Sequence, residues 1–281
     1  MILSDRLTPG RFVRRLNRFT VEVRNLAGQS ILAHLANSGR LQDLLVPGIP
    51  CLLTPARLGV SRARTQADLA FVARSSSLGW SHEPATPCWS ADFPGKYEPE
   101  AETASSAWVS VSAALPNRLV AESLRRQPDR WRHLLGWSVG EWRAEVPAES
   151  SRLDFRLWPA GDRTDLLNPH AGLWLEVKSV TLVEQGWARF PDAPTMRGRR
   201  HLQELARMVQ QGGRAAILFV VQREDARGFA PNERTDPLFA SALREAVDAG
   251  VQVWALSCQV RPPRVELVVR PLPIQLRSPS A

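Results

Sequence analysis

The stretch "LWLEVKSVTL", residues 173–182, sets an acid, Glu176, and a base, Lys178, near the centre of a run of large apolar side chains. A short apolar run of this kind predicts a buried or half-buried strand. Ionised groups in such a strand are costly unless they are paired or bound to a cation. Side chains two apart on a strand share a face, so Glu176 and Lys178 point the same way. The lysine is unusual here: of 36 basic residues, only Lys96 and Lys178 are lysine, and the rest are arginine.

Immediately upstream, "SRLDFRLW" (151–158) alternates strictly. Leu153, Phe155 and Leu157 fall on one face, and Arg152, Asp154, Arg156 and Trp158 on the other. The turn-rich "PAGDRTDLLNPHAG" joins this stretch to the opening strand, which predicts an antiparallel pair with a long loop. Asp154 then sits near the middle of the strand beside Glu176. Two carboxylates from adjacent strands suit a hard cation, Mg²⁺ or Mn²⁺, that takes oxygen ligands and keeps several waters. Lys178, on the same face, reaches an attacking water or a scissile phosphate with a compact positive charge. The pattern predicts metal-dependent hydrolysis of a phosphodiester, in which the cation neutralises developing charge and lowers the pKa of a bound water. The plainer alternative is a strand with an exposed Glu–Lys pair, because ExK alone is a common motif.

Working outward, "RGRRHLQELARMVQQGG" predicts a helix with Leu202, Leu205 and Val209 inward and Gly212 past its end. "RAAILFVV" (214–221) reads as a buried strand. "DPLFASALREAVDAG" reads as a second helix closed by Gly250, and "VQVWALSCQV" as the next strand. Strand, helix, strand, helix, strand implies a mixed α/β sheet with helices on its faces. Before these, "PNRLVAESLRRQPDRWRHLLGW" carries Leu119, Val120 and Leu124 at helical spacing, and "WVSVSAAL" from residue 108 alternates as a strand. Residues 11–72 read as short strands at close intervals: "RFTVEV" (18–23), "QSILAHL" (29–35) and "IPCLLTPA" (49–56). They predict a small barrel or compact sheet. The expected organisation is 1–74, then a Ser/Pro/Gly/Glu-rich low-order insertion over 75–107, then 108–281.

The net charge of +8 and the pI of about 10.7 fit a polyanionic partner, nucleic acid first. An arginine-rich composition without functional meaning fits them equally. Basic residues crowd the first segment; in "RFVRRLNRF", Arg14 and Arg18 share one strand face and Arg15 the other. They read either as a phosphate-binding side or as a charged edge that resists aggregation. Asn37 and Arg40 form a polar turn that suits a phosphate contact. Arg197, Arg200 and His201 begin the helix that follows the Glu176 strand; they read equally as a phosphate contact or as a solvated basic turn. His34, His82, His133 and His170 lack metal-ligand spacing. Three dispersed cysteines, Cys51, Cys88 and Cys258, suit a reducing cytoplasm and argue against a disulfide framework. No apolar run reaches bilayer length and no signal-peptide core is present, so no membrane partner is expected. The sequence leaves the oligomeric state open.

Five blocks carry a family resemblance: "LANSGRLQDLLVPG" (35–48), "LPNRLVAESL" (115–124), "SRLDFRL", "LWLEVKSVTL" and "ARFPDAPTMRGRRHLQEL". They resemble the signature blocks of the sugar fermentation stimulation protein A family across nearly the whole chain except 75–107. The resemblance implies an N-terminal OB-like β-barrel domain that binds nucleic acid. It also implies a restriction-endonuclease-like α/β domain of the PD-(D/E)xK type, with Asp154, Glu176 and Lys178 as catalytic residues. Glu122 matches the helix position where some nucleases of this type hold a further metal ligand, beside Asp154 and Glu176. DNA is the expected substrate and RNA the second candidate, with a regulatory role in sugar metabolism. Two positions depart from the family's pattern. Met196 stands where an acid is usual, and Arg200 where a lysine is usual. Met196 keeps open the alternative of a non-enzymatic DNA-binding regulator with a vestigial nuclease site.

Overall fold

The computed structural model describes residues 1–56, 65–74, 108–148, 151–161 and 171–277. The expected insertion at 75–107, with Lys96, Cys88 and His82, lies outside the described residues, as do His170 and most of the loop before Leu173. The chain forms two compact units, Met1–Ala113 with Val260–Val265, and Ala114–Gln259 with Glu266–Ala281.

The first unit is built on β1 (Thr8–Asn17), β2 (Thr20–Asn25), β3 (Ser30–His34), β4 (Pro50–Pro55), β5 (Ala67–Ala73) and the short β6 (Trp108–Ser110). β1, β2 and β3 form an antiparallel meander. β4 returns to pair with β1, and β5 pairs antiparallel with β4. A parallel contact between β3 and β5 closes the ring into a five-stranded barrel. Inward-facing Phe12, Val21, Val23, Ala33, Leu53, Leu69 and Val72 fill it. Gly10 is needed where β1 crosses β2, because a Cβ there would meet the Val23 side chain at 2.5 Å. The barrel agrees with the sequence, but the expected strand over 18–23 does not begin at Arg18. Arg18 and Phe19 form the two-residue hairpin turn, with Asn17 paired to Thr20. A register shift between Phe12 and Arg14 also breaks the simple alternation of faces in "RFVRRLNRF".

The second unit begins with α1 (Leu115–Arg126), a 3-10 turn (Pro128–Trp131) and the short α2 (Arg132–Leu135). Then come β7 (Val139–Pro147), β8 (Arg152–Pro159), β9 (Leu173–Val180), β10 (Val183–Glu184), β11 (Trp187–Phe190) and α3 (Met196–Gln210). β12 (Arg214–Val221), β13 (Gly228–Pro231), α4 (Pro237–Asp248), β14 (Gln252–Arg261) and β15 (Arg264–Pro271) follow, the last two joined by the Val260–Val265 segment that belongs to the first unit. The main sheet runs β15-β14-β12-β9-β8-β7, and a second small sheet runs β10-β11-β13. β12 is parallel to both β9 and β14, and its uniformly apolar sequence follows from burial on both faces. β8 is antiparallel to β9, as the alternation predicts.

Between sheet and helices, Phe219 stacks on Phe229 at 4.0 Å and Phe190 meets Phe239 edge-on at 5.1 Å. Leu202, Leu205 and Leu243 pack into the same core. Asp236 organises both helix starts. Its Oδ1 accepts from Phe239 N at 3.0 Å, capping α4, and its Oδ2 accepts from Thr195 N at 2.8 Å. Thr195 in turn caps α3 through Gly198 N at 3.0 Å. Gly198 lets α3 approach α4, since a Cβ there would lie 2.8 Å from Thr195 Cγ2 and 3.1 Å from the Phe239 ring.

Candidate functional site

The β8–β9 register pairs Phe155 with Leu175 and Arg156 with Trp174. Continued by one residue, it sets Asp154 opposite Glu176, on the face that Lys178 shares. Asp154 is fixed from two sides: Asn117 Nδ2 on α1 donates to its Oδ1 at 2.6 Å, and Val177 N on β9 donates to its Oδ2 at 2.8 Å. Burial, and next the charge of Glu176, push the Asp154 carboxyl up to about 6, against the lowering effect of these hydrogen bonds and of Lys178.

Glu176 is 2% exposed. Lys178 Nζ and His201 Nδ1 both bond its Oε1. Burial by itself raises this carboxyl, but the His201 hydrogen bond and the Lys178 charge outweigh it and hold Glu176 below the usual carboxylate range. Arg197 Nε donates to His201 Nε2 at 3.3 Å. With Nε2 accepting from Arg197, Nδ1 is the nitrogen left to donate to Glu176. The other oxygen of Glu176, Oε2, is buried and has no hydrogen-bond partner among the described residues. A buried carboxylate oxygen without a protein partner is a place for an ordered water or a cation. The donor set beside it, two carboxylates and no soft ligand, matches a hard cation.

Glu122, the expected third ligand, does not join this pair. Among the described residues no three of His, Cys, Asp and Glu gather as a metal-holding group. Glu122 pairs instead with Arg126 on its own helix at 3.5 Å. It lies five positions along from Asn117, about 140° round a helix, so the two cannot both face Asp154. Asn117 is the α1 residue that reaches the site; a lone asparagine in "LPNRL" carries no spacing or charge signal for that role. His201 is also reassigned. It was expected to meet nucleic acid; it is buried and holds Glu176. Arg197 backs it, while Arg200 is exposed. Met196, 71% exposed, opens α3.

Arg156 lies two residues beyond Asp154 on the same face of β8. Its guanidinium sits 4.8 Å from the Trp158 ring and 4.6 Å from the Trp174 ring, and donates to Ala171 O at 2.8 Å. Burial of an arginine between two indoles follows from its weak hydration and planar shape. The alternation of β8 had placed it on this face without a role.

In the first unit the expected nucleic-acid residues divide. Arg15 commits its guanidinium to five backbone carbonyls, those of Asn17, Arg18, Asn37, Gly39 and Arg40, at 2.6–3.2 Å. An arginine has five N–H donors, so Arg15 ties the hairpin turn to the 37–40 loop and has no donor left for phosphate. Asn37 is buried as well: Nδ2 donates to Val111 O at 2.9 Å and Oδ1 accepts from Gly39 N at 2.8 Å. It shapes the loop from within. Arg14 is exposed and pairs with Glu22 at 2.8 Å. Arg18 and Arg40 are exposed.

Comparison with known proteins agrees with this architecture. Residues 114–264 match the model described as "Sugar fermentation stimulation protein RE domain". Residues 13–78 match the "SfsA N-terminal OB domain". The sugar fermentation stimulation protein homolog of Moorella thermoacetica is 38% identical over 266 residues, 95% of this chain and 96% of that protein. The homolog of Desulforamulus reducens is 35% identical, over 98% of this chain and 95% of that one. Pyrococcus furiosus SfsA, solved in complex with Ca²⁺, superposes with a TM-score of 0.71 at 23% identity, covering 96% of each chain; this likeness bears on the fold. The chain belongs to the sugar fermentation stimulation protein family, with an N-terminal OB barrel followed by a mixed α/β domain.

Proposed function

We propose that this protein binds nucleic acid and hydrolyses its phosphodiester bonds with Mg²⁺ or Mn²⁺ held between Asp154 and Glu176, in the manner of the PD-(D/E)xK nucleases. One observation carries the reading: opposed carboxylates on adjacent strands, one with a buried oxygen that lacks a partner, beside a lysine in a chain with only two. A cation there supplies charge neutralisation and a more acidic water. The protein's own groups do the rest. Asn117 and Val177 N hold Asp154. His201 holds Glu176 Oε1. Lys178 stands on the same face, ready to exchange its bond with Glu176 for one to a phosphate oxygen or the attacking water. The complex of the Pyrococcus furiosus relative with Ca²⁺, another oxygen-seeking cation, supports the choice of ion. The relatives' name, sugar fermentation stimulation protein, supports a link to sugar metabolism.

The test is cleavage of end-labelled single- and double-stranded DNA and RNA by wild type and Lys178→Ala, in Mg²⁺ or Mn²⁺ and in chelator. The reading requires that wild type cuts, that chelator stops it, and that Lys178→Ala binds as well but cuts at least about a hundredfold more slowly. The second reading, a regulator that binds DNA without cutting it, is favoured by exposed Met196 at the start of α3. It predicts equal binding and no cleavage of any substrate by either protein.

A further inference from the structure

The tip of the β1–β2 hairpin carries an aromatic ring that the barrel core does not use. Phe19 is 46% exposed, whereas Phe12 and Phe71 of the same unit are buried. The ring is held in a fixed place. Asn17 Oδ1 accepts from Phe19 N at 2.9 Å, Phe19 O accepts from Leu35 N at 2.9 Å, and Arg15 Nη2 donates to Arg18 O at 2.6 Å. The Arg18 guanidinium lies over the ring, 5.4 Å from its centre. His34 packs against it edge-on at 6.2 Å. His34 is itself 7% exposed, and its Nδ1 has no hydrogen-bond partner among the described residues. Arg14, Arg18, Arg24 and Arg40 are exposed in this unit.

A rigid phenyl ring held in water beside cations matches what an unpaired base offers: a π-face to stack on and a phosphate to neutralise. OB barrels receive oligonucleotides on the strand 2–3 face and on the loop between strands 1 and 2, which here is Arg18–Phe19. In a duplex each base face is covered by its neighbours, so only a single strand can use the ring. We propose that Phe19, with Arg18, is a base-stacking platform for single-stranded nucleic acid. The proposal rests on the nucleic-acid reading above and narrows it to a substrate class.

The test is fluorescence-anisotropy titration of the full chain, in chelator, with labelled oligo-dT, oligo-U and a duplex of equal length. Wild type is expected to bind the single strands more tightly than the duplex. Phe19→Ala and Phe19→Leu should each weaken single-strand binding about tenfold while changing duplex binding less than about twofold, and Phe19→Trp should retain or tighten it. The salt slope of Phe19→Ala should stay at the wild-type value, because no cation is removed. Retained single-strand affinity in Phe19→Ala or Phe19→Leu, or an equal loss on duplex, overturns the platform but leaves the nucleic-acid reading standing. No binding of any nucleic acid by wild type overturns both. Comparison of oligo-dT with oligo-U tells whether the platform serves DNA, RNA or both; any of these supports it.

Discussion

Glu176 presents two oxygens in different situations. Oε1 takes Lys178 and His201, and Oε2 is buried without a partner. Asp154 opposite it is half-buried, with its carboxyl pushed up to about 6 from 3.8. Because the folded-state value is raised, the folded protein binds that proton more tightly than the unfolded chain. The contribution to stability is full below about pH 4 and is lost as pH rises through about 6. Asp154→Asn does not titrate. Its stability relative to wild type, measured by denaturant unfolding in chelator, should therefore rise by on the order of 2 kcal/mol between pH 4 and pH 7.5. Parallel pH profiles for the two proteins would show that Asp154 carries no such burden. The Asp154–Glu176–Lys178 set was legible in the sequence because a strand repeats every two residues and the pairing of β8 with β9 follows from their alternation. The role of His201 was not, because it depends on how α3 docks onto β9.

Elements show the same division. α3, β12, α4 and β14 each have an apolar pattern of their own and were readable. β7 was not, because burial along it is irregular, with few of its nine residues inside. The β10–β11 hairpin escaped notice too, although Gln185 and Gly186 both take positive φ in its two-residue turn, a pairing that glycine in such a turn can signal. The start of α3 depends on an acid far along the chain, Asp236, which receives both Thr195 N and Phe239 N. Asp236→Ala should destabilise the protein by about 2–3 kcal/mol, more than an ordinary helix cap, because two donors, one of them buried, lose their acceptor. Asp236→Asn should recover part of that. A melting temperature unchanged in Asp236→Ala would mean that the two helix starts are held otherwise.

Across the whole molecule the charge is +8, and exposed arginines in the first unit are the expected electrostatic contacts. The logarithm of the nucleic-acid binding constant should fall linearly with the logarithm of salt concentration. Arg40→Gln should reduce that slope by about 1. Asn37→Ala should leave the slope alone and lower stability instead, since the buried amide only supports the loop. A salt-independent affinity would return the arginines to mere composition. Which arginines face solvent was hidden in the sequence: Arg14 and Arg15 are adjacent, yet only the folded hairpin turn and 37–40 loop together claim all five donors of Arg15.

The cation seat between Asp154 and Glu176 is tested by Mn²⁺ binding, followed by electron paramagnetic resonance on wild type, Asp154→Asn and Glu176→Gln. A cation held by these carboxylates requires saturable binding to wild type, competed by Mg²⁺ and weakened at least about tenfold in each variant. Equal binding by all three proteins, or none by wild type, would contradict a cation seat between these carboxylates.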